Sequence, residues 1–319
     1  KTQSIDIPIE LKWEMGISNN FDLFLLWTKL QKKGIFAKFK IKDYSMVVFP
    51  HAKINIGLFV TGKRNDGFHN LETIFFPVGW SDILEIGRGE GESGSFRFKN
   101  TGLEVGGDPG KNLVIKAYHL LAADFHLPAI QVHLHKIIPF GAGLGGGSAD
   151  AAFMLKALNA FFDLRLSGQK MVTYAARLGS DCAFFIDDRP AFASGKGELL
   201  EPIELTLAGY RIIIVKPSFG VSTPEAYAGI TPRPAGYDLR QLGQLPVNTW
   251  KEYIRNDFEA TVFQKYPSLT LLKQQLYERG AEFVSMSGSG SAIYGLFKKD
   301  REINLDFPDC CVWQGETLI

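Results

Sequence analysis

Five glycines fall within seven positions of the run PFGAGLGGGS, Pro139–Ser148: Gly141, Gly143, Gly145, Gly146 and Gly147. Glycine permits positive φ and lets a ligand approach bare backbone N–H groups. Ala151, Met154, Leu155, Leu158 and Phe162 recur at helical spacing directly afterwards, which predicts a helix with Ser148 as its N-cap. A helix start attracts anions through free N–H groups and its dipole. A strand, a glycine loop and a helix N-terminus in that order suit a phosphate group better than a tight packing contact. Two familiar phosphate motifs do not fit. The P-loop requires Lys and then Ser or Thr after its last glycine, and no Lys follows here. Dinucleotide spacing is met formally by Gly141, Gly143 and Gly146, but its leading strand is buried on both faces. Here Ile130–His135 alternates apolar and polar residues, Pro139 intervenes, and no acid-ended strand follows about 20 residues on. Hydride chemistry is therefore disfavoured.

Two further places carry charged groups in apolar surroundings. Lys53 and Asn55 share one face of a predicted strand, Lys53–Val60. Such a lysine can simply snorkel to the wet side of a sheet. Asp181 follows a predicted helix, Gln169–Leu178, that ends at Gly179, and precedes the apolar run Cys182–Ile186. Alone it reads as a turn aspartate. His119, His126, His133 and His135 show no metal-ligand spacing.

The elements that must hold these residues form a mixed pattern. Strands are predicted at Met46–Phe49, Leu71–Val78, Ile83–Ile86, Phe96–Phe98 and Ile130–His135, the last with one wet face as in an antiparallel sheet. Asn112–Phe125 reads as a helix, and Cys182–Ile186 with Ala191–Ser194 as a hairpin around Asp187–Pro190. Tyr210–Val215 is a strongly apolar strand, and Thr223–Ala228 opens a short helix. Trp250–Phe263 and Ser268–Arg279 read as helices, and Phe283–Met286 and Ala292–Phe297 as strands around SGSGS. Strands and helices without βαβ regularity give an α+β class. With 319 residues, two domains are expected, 46–205 and 206–319. Residues 1–45 hold eight Lys, no Arg and a short apolar run, and read as a poorly packed extension ahead of Met46.

A net charge of +1 offers no overall footprint for nucleic acid. No run reaches the ~18 apolar residues of a membrane span. Three cysteines, Cys182, Cys310 and Cys311, are too few for a disulfide framework, so a cytoplasmic location is the default.

Three stretches in order resemble the GHMP kinases: PHAKINIGLFVTGKRNDGFHNLETIF at 50–75, the glycine loop running into ADAA, and SMSGSGSAIYGLF at 285–297. The resemblance covers the chain from about Met46 onward. It implies an N-terminal domain similar to ribosomal protein S5 domain 2 and a ferredoxin-like C-terminal domain. The first motif is most similar to that of members acting on a cytidine-diphosphate-linked methylerythritol in the non-mevalonate isoprenoid pathway. Implied with it are ATP and Mg²⁺, and phosphorylation of the 2-hydroxyl of that small molecule.

Residue roles follow from the same resemblance. Asp181, in GSDCAFF where the family carries GADVP, is the expected proton acceptor, with Lys53 beside it. The loop residues Pro139, Gly141, Gly143, Leu144, Gly145, Gly146, Gly147 and Ser148 are expected to hold ATP, Ser148 also reaching the metal. Lys111, Asn112 and Leu113 are expected near adenine, and Lys136 near the nucleotide as positive charge. Asn55, Thr223, Ser287 and Gly288 are expected on the substrate. Phe68 and His69 stand where the family has Tyr-His; Phe keeps the stacking face and loses the hydroxyl. Tyr227 is the expected second half of a cytosine sandwich. The rival readings are another GHMP small-molecule kinase, an inactive nucleotide-binding relative, and a nucleic-acid binder. An RNA shift at low salt would distinguish the last.

Overall fold

A computed structural model describes residues 3–6, 37–41, 45–104, 108–300 and 302–316. The first sheet joins β1 (Gln3–Asp6), β2 (Ala37–Ile41), β3 (Ser45–Val48), β6 (Ile83–Arg88), β8 (Ile130–Lys136) and β7 (Phe96–Gly102), in that spatial order. A second sheet carries β4 (His51–Lys63) and β5 (His69–Ser81), extended by β9 (Ala191–Ser194) and β10 (Leu199–Pro202). The third is antiparallel: β12 (Phe283–Met286), β13 (Ile293–Lys298), β11 (Tyr210–Pro217) and β14 (Cys310–Glu316).

The first sheet buries one face against α1 (Leu113–Ala122) and α2 (Gly146–Phe161), with α3 (Gly168–Ala176) and α4 (Phe184–Asp187) closing the same core. A second core lies between the other two sheets. Ile54, Ile56 and Phe76 of β4 and β5 meet Ile212, Phe283 and Tyr294 of the third sheet. Trp80 and Trp313 stack across this junction, ring centres 6.0 Å apart. On its far side the third sheet packs α7 (Glu259–Lys265) and α8 (Pro267–Glu278).

Four expectations from the sequence change. Residues 3–6 and 37–41 are strands that extend β3 rather than a loose extension; the rest of 1–44 lies outside the described residues. β8 is antiparallel to β6 but parallel to β7, so its wet face did not fix the pairing. The run Cys182–Ile186 turns into the helix α4 rather than a strand, because a short apolar run has no period to separate the two. Asp188 ends that helix in the left-handed region at φ +54°. Finally, the helix expected at Trp250–Phe263 breaks between α6 (Trp250–Tyr253) and α7. There the chain pairs with β4, Leu58 N–H donating to Arg255 O at 2.8 Å and Asp257 N–H to Leu58 O at 2.8 Å. This pairing takes hydrogen bonds a helix would otherwise have used.

The third sheet also braces β4 directly, since the buried Tyr294 hydroxyl donates to Asn55 O at 2.9 Å. Tyr294→Phe removes one buried bond, worth about 1 kcal/mol. Urea unfolding of this variant is expected to show a lower midpoint at an unchanged slope.

Candidate active site

Three segments distant in sequence meet in one cleft of about 470 Å³. β4 brings Lys53 and Asn55, the loop between β8 and α2 brings the glycines, and the turn after α3 brings Asp181. The loop is shaped by alternate left-handed glycines, with φ of +57° at Gly141, +72° at Gly143 and +70° at Gly145. A side chain at Gly143 would collide with the Ser287 carbonyl, so the loop lies against the turn between β12 and β13. The helix starts at Gly146 with Gly145 as its N-cap, three residues ahead of the Ser148 expected there. No side chain caps it, and the N–H groups of Gly146, Gly147 and Ser148 form the first turn, which has no intrahelical acceptors. Gly147 faces open space in the cleft. Uncapped N–H groups at a helix start attract anions.

Lys53 stands beside it. Its side chain is 4% exposed, and Nζ donates to Asn55 Oδ1 at 2.6 Å and to Gly143 O at 3.0 Å. Asp181 Oδ2 lies 3.5 Å away, on a side chain 30% exposed. Burial lowers the Lys53 pKa below the usual lysine value, while Asp181 opposes that shift. A carboxylate and a buried ammonium thus share one cleft with the uncapped helix start.

The loop's footing is a buried ion cluster. Lys136 Nζ is shared by Asp82 and Asp150, and all three are almost wholly buried. Asp82 Oδ1 also accepts the N–H of Ile138 at 2.8 Å and that of Ile137, just ahead of the loop. Lys136 lines the cleft floor, but its ammonium is taken up by two aspartate side chains, so it serves the loop from below rather than a nucleotide as expected. Burial raises the Asp150 carboxyl to about 8, with Lys136 pulling it down and Asp82 pushing it up.

The family can now be stated on comparison. Residues 112–196 match the GHMP kinases N terminal domain, and residues 239–305 match GHMP kinases C terminal. The 4-diphosphocytidyl-2-C-methyl-D-erythritol kinase of Bacteroides thetaiotaomicron is 52% identical over 255 residues, 80% of this chain and 93% of that one. The chain belongs to the GHMP kinase family. The Bacteroides fragilis kinase of the same name is 48% identical over 272 residues, 85% of this chain and 99% of that one. A crystal structure of a 4-(cytidine 5'-diphospho)-2C-methyl-D-erythritol kinase superposes with a TM-score of 0.66 at 32% identity, covering 79% of this chain and 90% of that one. The mevalonate kinase of Methanococcus jannaschii shares the fold, with a TM-score of 0.65 at 12% identity over 87% of this chain and 99% of that one. The resemblance read from three motifs and the two-domain α+β class are thereby borne out. ATP is the co-substrate of GHMP kinases, and the acceptor is a small molecule.

Among the other residues marked in the sequence, Leu113, Pro139, Leu144, Thr223, Tyr227 and Gly288 of this GHMP kinase line the cleft. Lys111, Asn112, Phe68, His69 and Ser287 do not. Asn112 caps α1, its side chain accepting Val114 N–H. Ser287 is buried; its hydroxyl donates to Gly143 O at 2.8 Å and accepts Asn55 N–H at 3.2 Å, which ties loop to strand. Phe68 is 58% exposed, with Lys196 Nζ 4.9 Å from its ring centre. Tyr227 of α5 (Thr223–Tyr227) stacks on His69, ring centres 4.6 Å apart. Sequence reasoning passed over Asn256, whose buried amide donates to Met286 O and Gly288 O, both at 2.8 Å. Its only local sign was an Asn-Asp pair inside a helical pattern.

Two measurements follow from this geometry. Gly147→Val meets no protein atom with its new Cβ, so the fold is kept. Its bulk enters the space over the helix start, and the KM for ATP is expected to rise about tenfold, or 1.4 kcal/mol. An unaltered KM would remove the phosphate role from the helix start. The second concerns Asp150, whose folded pKa of about 8 stands above its ordinary value of 3.8. The folded state then holds a proton that the unfolded chain releases, so this group lowers stability as pH rises through that window. Asp150→Asn is expected to flatten the slope of melting temperature against pH between about 4 and 8.

Proposed function

We propose that this chain transfers the γ-phosphoryl group of ATP to the 2-hydroxyl of 4-diphosphocytidyl-2-C-methyl-D-erythritol, in the non-mevalonate isoprenoid pathway. The observation that carries the chemistry is the Lys53–Asp181 pair in front of the α2 N-terminus. The substrate rests on the two Bacteroides relatives and the crystal structure that bear that activity in their names.

In this reading the ATP phosphates lie on the N–H groups of Gly146, Gly147 and Ser148, and Leu113 and Lys111 border the adenine end. Asp181 takes the hydroxyl proton as the substrate oxygen bonds to the γ-phosphorus. The bond from that phosphorus to its bridging oxygen breaks, and ADP leaves with the electron pair. Lys53 pairs with the Asp181 carboxylate at 3.5 Å and opposes charge on the moving phosphoryl group. Asn55 and Gly288 border the methylerythritol, while Phe68, His69, Thr223 and Tyr227 serve the cytidine end.

The described residues contain no group of three or more metal-ligating side chains. The donor set fits an ion brought in on the phosphates rather than one caged by protein. The Ser148 hydroxyl, in contact with the Cys182 thiol, is the group that would hold it. Mg²⁺ there neutralises phosphate charge when ATP is bound. Residues 46–205 form the nucleotide-binding domain in this reading and 206–319 complete the cleft. No helix among the described residues is long and apolar enough to cross a membrane. A cytoplasmic enzyme is proposed on the low cysteine content.

The test is turnover of purified protein with ATP, Mg²⁺ and a panel of alcohols including the proposed substrate. Asp181→Asn is expected to lower kcat by ~10²–10⁴ with both ligands still bound. Lys53→Met lowers kcat as well, and the losses are non-additive in the double variant because both act at one centre. Preference for another alcohol would replace the substrate, and an undiminished kcat in Asp181→Asn would remove the base.

A further inference from the structure

A second cluster, a buried histidine with a partly exposed aspartate and lysine, lies outside the lining of the cleft. His51 opens β4 two residues ahead of Lys53. Its Nε2 meets Asp188 Oδ1 at 3.1 Å, and its Nδ1 meets Ala52 O at 2.9 Å. The ring is held edge-on by Phe153 of α2, 5.4 Å between centres, and by Phe185 of α4 at 5.6 Å. The other oxygen of Asp188 takes Lys156 Nζ of α2, which also donates to Phe185 O at 3.1 Å. Against the effect of burial, Lys156 and His51 hold the Asp188 carboxyl below the usual carboxylate range. Three elements therefore meet at one carboxylate: the start of β4, the middle of α2 and the end of α4.

This matters because Asp181 and Lys53 do not fix each other. Their 3.5 Å separation is an ion pair without a short hydrogen bond, and the Asp181 side chain is partly exposed. Lys53 is set by β4. Asp181 is set by the segment that runs through the buried Cys182 into α4 and ends at Asp188. His51–Asp188 is a side-chain bond between those two mounts, outside the reacting centre.

From this placement we infer that His51, with Asp188 and Lys156, is a positioning unit that sets the distance between the Lys53 ammonium and the Asp181 carboxylate during phosphoryl transfer. It rests on the roles given above to Lys53 and Asp181. A misplaced general base loses rate while substrate contacts survive.

The experiment measures kcat and both KM values with ATP and 4-diphosphocytidyl-2-C-methyl-D-erythritol, alongside melting temperature, for His51→Leu, His51→Gln, Asp181→Asn and the double variant of His51→Leu with Asp181→Asn. His51→Leu is expected to lower kcat about tenfold with both KM values within about twofold. His51→Gln, which can still donate to Asp188, recovers most of that loss. In the Asp181→Asn background His51→Leu changes kcat less than about twofold, since misplacing an absent base costs nothing. Losses that multiply in the double variant, or a raised KM with kcat kept, overturn the inference and leave the base assignment standing. If Asp181→Asn itself keeps wild-type kcat, the base assignment fails and the positioning role falls with it. Should His51→Leu not fold, Asp188→Asn is read against the same two backgrounds with the same expectations.

Discussion

The site depends on one ion cluster buried at the floor of the cleft. Lys136, Asp82 and Asp150 are buried under the glycine loop, one cation between two aspartate side chains. A loop of five glycines has little reason of its own to keep one shape, because glycine has the most backbone freedom to lose. Here both ends are fixed. Asp82 holds the backbone of Ile137 and Ile138 at the entrance, Asp150 belongs to the first turns of α2, and Lys136 joins the two. A buried ion pair is a weak source of stability but a strong penalty for the wrong arrangement, because separating its members strands a charge in low dielectric. The cluster therefore specifies where the helix N-terminus points. The glycines then need only supply bare N–H groups and left-handed turns.

Around that footing the substrate side is assembled by hydrogen bonds from other segments. Ser287 joins Gly143 to the backbone of Asn55, Asn256 holds both carbonyls flanking Ser287, and Tyr294 holds Asn55 from the third sheet. The two sides of the cleft, glycine loop and β4, thus share supports. A loss at one support is felt by both, which is a reason to read kcat and KM together in this molecule.

The sequence made the chemistry legible where it is local. The glycine cluster, the two-residue spacing of Lys53 and Asn55, and the turn after Gly179 each reveal themselves within a few residues, and all reach one cleft. Resemblance to a family then supplied roles that spacing alone left open. What stayed hidden depends on partners far along the chain. Lys136 looks like a free cation until Asp82, 54 positions earlier, is seen beside it. The break at Ile254–Phe258 follows from pairing with Leu58, and no local rule ends a helix there. Cys182–Ile186 has too few residues for a period to show. Ser148 carries a good N-cap side chain, yet Gly145 takes that place in the left-handed region at φ +70°, a conformation that glycine adopts without strain.

The core shared by the second and third sheets has a consequence for how ligands come and go. Domains that open on a hinge are joined by thin, polar interfaces. Here Leu205 and Leu207, at the junction of the two halves, are buried among side chains from both. Parting the halves would expose that apolar seam to water, at a cost that grows with its area. The exposed side chains beside the cleft are built differently: Lys196 lies over the Phe68 ring, and the Thr223 and Ser289 hydroxyls stand 3.4 Å apart. That seam weighs against hinge opening and leaves such side chains as the parts with room to turn.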